Sequence, residues 1–479
     1  MTPEPRRLFA PVTALLAAVV ISMMCNAPAQ AHPQKKKKKA ANAPPTVTLQ
    51  TPKPEPVAAT AAPAQIAANA EALPAEKDPA RESWRINAEP YAILGSGRPG
   101  KAVADFDKPD GVAFGPQGWL FATDAKNRRV QIWDVKTKAH LGEFGHGIFG
   151  GEIVDIAVAP NGMVLVTDQV LNLAYAFMPP QPGEQDGKGK PLGPYDFQFK
   201  GTRFGERHFD KLGGIAIDSK GRVYAVDAHL NQVFRYTPDG ADDSSWQFTK
   251  QRADGDTYLH GCEGIAIDEA AGNIYIASEK DAVIQVFDWE SGGYKGKLVG
   301  AHSDGSGKPS GKGVFSGSVE GLAIAGKTLY AVDESVGHVQ IFDLNAATVF
   351  NRDLAFYAAT QRTRGGGYKG FVGHSPQVDF EDKTNKTLQQ QVKDGAIIPG
   401  QANPPGYFCS PDSIATHTEP GGETYIAIAD QCNYRLAVYR SSDITRALGP
   451  TLARTVPTTP ASVPETGKGG KKKGKKKGQ

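Results

Sequence analysis

KPDGVAFGPQGWLFATDAKNRRVQIWD, residues 108–134, alternates apolar and polar positions through three short runs. GPQG and DAKN, clusters of the residues that favour turns, separate the runs. Period-two alternation bounded by such turns is the pattern of half-buried strands, so the stretch reads as a three-stranded meander.

The same unit returns five times. EIVDIAVAPNGMVLVTDQVLNLAYAF starts at Glu152 and KLGGIAIDSKGRVYAVDAHLNQVFRY at Lys211. CEGIAIDEAAGNIYIASEK starts at Cys262 and runs on to Asp288, SVEGLAIAGKTLYAVDESVGHVQIFD starts at Ser318, and CSPDSIATHTEPGGETYIAIADQCNYRLAVYR at Cys409. No long segment has helical periodicity. Six antiparallel units predict an all-β fold, a six-bladed β-propeller, in which radial repetition protects the sheet edges. PYAIL, residues 90–94, is the candidate outer strand of the last blade, closing the ring. The spacer from Arg352 to Tyr407 is much longer than the others, a length at which rim loops and lids occur.

Outside residues 83–445 the composition changes. Residues 1–31 read as a signal peptide: Arg6 and Arg7, the apolar LLAAVVISMM, then Ala29-Gln30-Ala31. The apolar run is short for a membrane span, which needs about 20 residues. Residues 32–82, rich in Ala, Pro and Lys, and the Lys/Gly-rich 446–479 cannot bury enough apolar surface to fold and read as disordered tails. The chain carries +3, but 12 of its 54 basic residues are lysines in the two terminal runs, which leaves −9 on the remainder. An acidic globule with basic tails is not the charge distribution of a nucleic-acid binder. The reading is an exported, periplasmic or extracellular monomer, with a small anionic substrate or an envelope component as partner.

Two motif matches carry no chemistry. GLAIAGKT, Gly321–Thr328, has the letters of a phosphate loop, but LYAVDE continues it as a strand where a helix is required. GSGRPG, residues 95–100, likewise opens no helix. In the last copy, Cys409 and Cys432 lie symmetrically about the EPGG turn and predict a disulfide, with Cys262 left as a buried thiol.

The first strand of a propeller blade lines the channel, so the residue ahead of its apolar core stands at one mouth. Through the copies that position reads Asp110, Val154 (with Asp155 beside it), Gly213, Glu263, Glu320 and Asp412. Carboxylates converging there call for a hard cation such as calcium, which takes six to eight oxygen ligands. The ends of the second strands give another ring, Asp124, Asp168, Asp227, Glu279, Asp333 and Asp430. The aspartates read as acceptors for their own turns. Antiparallel pairing places Glu279 near Glu263, and Asp333 or Glu334 near Glu320.

The unit PDGVAFGPQGWLFATDAKNRRVQIWD resembles an NHL repeat, which implies the propeller and no particular function. CEGIAIDEAAGNIYIASEKDAVIQVF and VEGLAIAGKTLYAVDES resemble the calcium-binding blades of β-propeller phytases. That resemblance makes Glu263, Glu279 and Glu320 calcium ligands, with Glu334 near another ligand position and Asp412 similar to a last-blade acid. It implies phosphate monoester hydrolysis, in which clustered calcium neutralises the phosphate and activates a bridging water without a protein nucleophile. Phytases also surround the phosphates with cations, and here Lys126, Arg128 and Lys280 are the candidates. Two other expectations stand beside this one: a non-catalytic NHL-repeat scaffold of the envelope, and a gluconolactonase-like enzyme opening sugar lactones with one metal.

Overall fold

The computed structural model describes residues 85–205, 209–251, 255, 257–298, 315, 318–345, 349–350 and 368–449. The signal, the 32–82 linker and residues 450–479 of the tail lie outside these.

The six repeats form six antiparallel sheets, the blades of a propeller. The short β1 (Ala92–Leu94) comes first. Blade 1 holds β2 (Pro109–Phe114), β3 (Trp119–Asp124), β4 (Arg129–Asp134) and β5 (Ala139–Phe144). Blade 2 holds β6 (Ile153–Val158), β7 (Val164–Asp168), β8 (Leu173–Met178) and β9 (Gln198–Phe204). In blade 3 the strands are β10 (Leu212–Ile217), β11 (Val223–Asp227) and β12 (Gln232–Tyr236). Blade 4 has β13 (Cys262–Asp268), β14 (Asn273–Ser278), β15 (Val283–Asp288) and β16 (Tyr294–Leu298), with β20 (Val349–Phe350) on its edge. Blade 5 has β17 (Val319–Ala325), β18 (Thr328–Asp333), β19 (His338–Asp343) and β21 (Tyr368–Val372).

Blade 6 closes the ring as PYAIL predicts. Its β22 (Pro411–Thr418), β23 (Thr424–Asp430) and β24 (Arg435–Arg440) are completed by β1, which pairs Ile93 with Ala437. The innermost strands neighbour one another in the order β2, β6, β10, β13, β17, β22 and back to β2.

Six apolar cores lie between consecutive blades. Ile265, Ile274 and Ile276 pack toward blade 3, while Ala266, Tyr275 and Ala277 pack toward blade 5. Both faces of each sheet are therefore covered, which is why the second strands read as continuous apolar runs such as IYIA. Gly326-Lys327 is the hairpin turn between β17 and β18.

One departure concerns a boundary. A helix, Ser441–Leu448, continues past residue 445, because Ile444 and Leu448 pack into the core between blades 5 and 6. The described part of the long spacer carries two helices, α1 (Lys386–Lys393) and α2 (Pro399–Ala402); the helix after blade 6 is α3. Val378, Phe380 and Leu388 of this insertion pack against Cys409 and Cys432, which are joined in a disulfide with Cα atoms 5.3 Å apart. The two cysteines face each other just beyond the paired ends of β22 and β23, Pro411 and Asp430. Cys262 is a free, buried thiol.

Candidate metal site at the channel mouth

All six innermost strands share one irregularity. Pairing to the second strand slips between Pro109 and Val112, and at the same place in the other five blades. The slip is a β-bulge, and a bulge turns a side chain out of the alternation of its strand. It falls on Asp110-Gly111, Val154-Asp155, Gly213-Gly214, Glu263-Gly264, Glu320-Gly321 and Asp412-Ser413, so that the acids face the channel instead of an inter-blade core. In blades 1 and 2 the displaced amides of Gly111 and Asp155 donate to Thr123 and Thr167 Oγ1.

The second residue of each dipeptide lies where neighbouring innermost strands touch. A Cβ on Gly214 or Gly264 would come within 2.1 Å of the next blade's carbonyl oxygen. Blade 2 carries Asp155 in this place, and its carboxylate accepts from Ile215 N at 2.8 Å.

The mouth encloses a cavity of about 270 Å³ lined by seven carboxylates, Asp110, Asp155, Glu263, Glu279, Glu320, Glu334 and Asp412. The six acids read from the sequence are thus brought together, with Asp155 in addition. Gln169 lines it as well, and Gln431 Nε2 donates to Asp412 Oδ2 at 3.2 Å.

The register corrects the second ring. The residue opposite the start of the innermost strand is Asp124, Asp168, Asp227, Asp333 or Asp430 in five blades, but Ser278 in blade 4. Glu279 is one residue further on and corresponds to Glu334, at the step that aims into the cavity. Asp168 and Asp227 accept from backbone amides of their own turns, Val170 and Leu171 N and His229 and Leu230 N, and Asp124 and Asp430 accept from the turn residues Asn127 and Asn433. Asp124 accepts from Asp107 N, Asp168 from Gly151 N and Asp227 from Asp210 N, tying each turn to the chain entering its blade.

The predicted substrate cations are elsewhere. Lys126, Arg128 and Lys280 are exposed on turns and do not line the cavity. Lys126 lies 3.7 Å from Asp107, and Arg128 closes its turn at φ 53°. The cavity's own cations are Lys108 and Lys211. Lys108 Nζ lies 2.6 Å from Glu152 and 3.2 Å from Asp110, and Lys211 Nζ 2.9 Å from Glu263. The Glu263 carboxylate leans over Gly213, the ring position without a side chain. Burial opposes both ammonium groups, but the acids outweigh it and raise their pKa values. The signal for them was present: both lysines stand two residues ahead of the acid position, in KPDG and KLGG.

Two lysines do not balance seven acids. Enclosure, then the surrounding carboxylates, pushes Glu320 up to about 8. Enclosure raises Asp155 to about 7 against its bond from Ile215 N, and Asp110 to about 6 against Lys108. Asp412 is raised well above the usual range and Glu334 is raised as well, both chiefly by enclosure. Ser318 Oγ lies 2.7 Å from Glu320 Oε1 and 2.9 Å from Glu334 Oε2. One hydroxyl proton serves only one of these contacts at a time.

The donor set is all oxygen, as calcium requires. Asp110 Oδ2 is buried without a hydrogen bond, its contact with Lys108 being an ion pair only. No three cavity carboxylates bring oxygens within 4.8 Å of one another among the described residues, so a cation held by this ring keeps water in its shell. The trio that does meet that spacing, Asp379, Cys409 and Cys432, contains the disulfide.

Fold and site define a six-bladed β-propeller with an acidic channel mouth. No family model matches the chain. It is 25% identical over 142 residues to peptidyl-glycine alpha-amidating monooxygenase A of Xenopus laevis, covering 27% of this chain and 13% of that protein. It is 29% identical over 143 residues to peptidylglycine alpha-amidating monooxygenase of Rattus norvegicus, 30% of this chain and 13% of that one. The match thus spans about an eighth of the length of these curated relatives. Solved structures with similarity include a structural genomics protein of unknown function from Bacteroides thetaiotaomicron, with TM-score 0.45, 14% identity, and 72% and 76% of the two chains covered. Another is streptogramin B lyase, at TM-score 0.41, 10% identity, and 71% and 95% coverage. The resemblances to NHL repeats and phytases rest on the residues alone.

Proposed function

We propose that the chain binds calcium at the channel mouth and through it an anionic ligand, with a phosphate monoester as the substrate class. The observation that carries this is the cavity itself, seven carboxylates against two lysines that are already paired. Near neutral pH protons neutralise only part of such a cavity, on the acids raised furthest; a divalent cation would neutralise the rest and keep doing so at higher pH.

Among the described residues, five of the acids lack a lysine partner; Asp155 is held by Ile215 N, and the other four, Glu279, Glu320, Glu334 and Asp412, would hold the ion, with Asp110 Oδ2 beside them in its ion pair with Lys108. Bound there, calcium would offset the charge of a phosphate and lower the pKa of a coordinated water. Lys108 holds Asp110 of its own blade, and Lys211 of blade 3 holds Glu263 of blade 4. With Lys126, Arg128 and Lys280 away from the cavity and Lys108 and Lys211 paired with acids, the described residues offer the phosphate no unpaired cation there, so in this reading the metal holds the ligand. The disulfide supports a place in an oxidising compartment.

The test is turnover of a phosphate monoester, with a sugar lactone assayed beside it, before and after chelation. The expected result is phosphate release that disappears with chelator, returns with calcium, and falls at least about 100-fold in Glu320→Gln. Lactone opening alone would replace the phosphate reading. Neither activity would leave a binding protein.

A further inference from the structure

We infer that the ligand is amphiphilic, an anionic head for the mouth joined to an apolar chain or ring that lies on blade 2. This deepens the metal-binding reading and rests on it. Four large apolar side chains are exposed among the described residues: Val103 (68%), Ile148 (38%), Val170 (63%) and Leu171 (46%). Single exposed hydrophobes are ordinary; a group confined to one end of the molecule marks a contact surface.

All four lie on connections at the mouth end. Val103 is between β1 and β2, Ile148 between β5 and β6, and Val170-Leu171 on the turn from β7 to β8. The last pair directly follows Gln169, which lines the cavity.

This lip is held firmly. Asp168 Oδ1 accepts from Val170 N at 3.1 Å and Leu171 N at 3.0 Å, and its other oxygen accepts from Gly151 N at 2.7 Å. The loop bearing Ile148 lies against the turn, since a Cβ on Gly150 would fall 2.5 Å from Leu171 Cδ1 and one on Gly151 2.4 Å from Val170 Cβ. The backbone is thus satisfied while the apolar groups stay in water, ready to be covered by something else.

Size narrows the occupant. The acids line a cavity of about 270 Å³, which admits a small head group and not a flat lipid surface or a second folded copy. A small anion bridged by the cation meets both the mouth and the lip.

The probes are methyl phosphate and butyl phosphate, titrated into the full chain with calcium, alongside a calcium titration. Three more methylenes half-covered on an open lip correspond to about tenfold tighter binding, or about 1.4 kcal/mol. In a Val170→Ser/Leu171→Ser variant the ratio of the two dissociation constants falls to near one. Calcium uptake with equal constants in the wild type would overturn the lip and leave the metal site standing. A tenfold ratio that survives in the variant would also overturn it. A wild-type dimer that the variant dissociates would assign the lip to self-association. Absence of calcium uptake would overturn both readings.

Discussion

Gly264→Ala is expected to destabilise the propeller by at least about 4 kcal/mol, beyond the ordinary range for one substitution. The added Cβ falls 2.1 Å from Glu320 O, 3.0 Å from Glu320 C and 3.1 Å from Gly321 Cα. Every one of these atoms is backbone, so no side chain can swing aside, and the innermost strands of blades 4 and 5 must separate. Separation also displaces Glu263 and Glu320, the acids flanking the contact, and calcium affinity should fall with stability. Gly272→Ala is the control, because a Cβ there meets nothing within 4 Å and the cost is the φ of 65° alone, about 1 kcal/mol. Urea denaturation of both variants measures the difference. Equal midpoints would show that the ring does not depend on close approach at the bulges.

The second large effect is on pH. A carboxyl group whose pKa is higher folded than unfolded retains its proton in the folded state over the interval between the two values. The folded state then binds more protons, and stability falls as pH rises through that interval. For the mouth the window runs from about 4, the unfolded value, up to the folded values of about 6 for Asp110, about 7 for Asp155 and about 8 for Glu320. In metal-free protein the contribution of the mouth should therefore be complete below about pH 4 and be lost progressively up to about pH 8, on the order of 4 kcal/mol for Glu320. Saturating calcium should flatten the curve, because it replaces the lost protons. Thermal unfolding across pH, with chelator and with calcium, provides the check. A metal-free curve that is level or rises with pH would mean that the acids are compensated in some other way.

The fold was open to reading because each blade repeats the same alternation and the same turn chemistry, and even the closing strand at Ala92–Leu94 kept its apolar pattern. The site was legible in part. Asp110, Glu263, Glu320 and Asp412 hold one repeat position and converge as that position implies. Glu279 was matched to the aspartate ring because an acid was expected there, whereas strand register puts Ser278 opposite Cys262 and pairs Glu279 with Glu334. A bulge adds a residue without changing composition, so the pattern does not show which of two adjacent residues faces the channel; Asp155 was obscured for that reason. Lys108 and Lys211 were visible at a constant position, yet their role depends on the neighbouring blade, a relation that spans 52 residues for Lys211 and Glu263. Lys126 and Arg128 belong to the same turn as Asp124, but the carboxylate points inward while the turn presents the basic groups to solvent.

Calorimetric titration of the metal-free full chain with calcium, at a pH of about 7.5 and in buffers of different ionisation enthalpy, tests whether the channel mouth is a calcium site. Uptake should be saturable and accompanied by release of about one proton or more per ion, since Glu320 and Asp412 lose protons to the buffer as the cation binds. Glu320→Gln should weaken binding at least about tenfold and reduce the proton release. No saturable heat up to millimolar calcium, or uptake indifferent to Glu320→Gln, would contradict the assignment of the channel mouth as a calcium site.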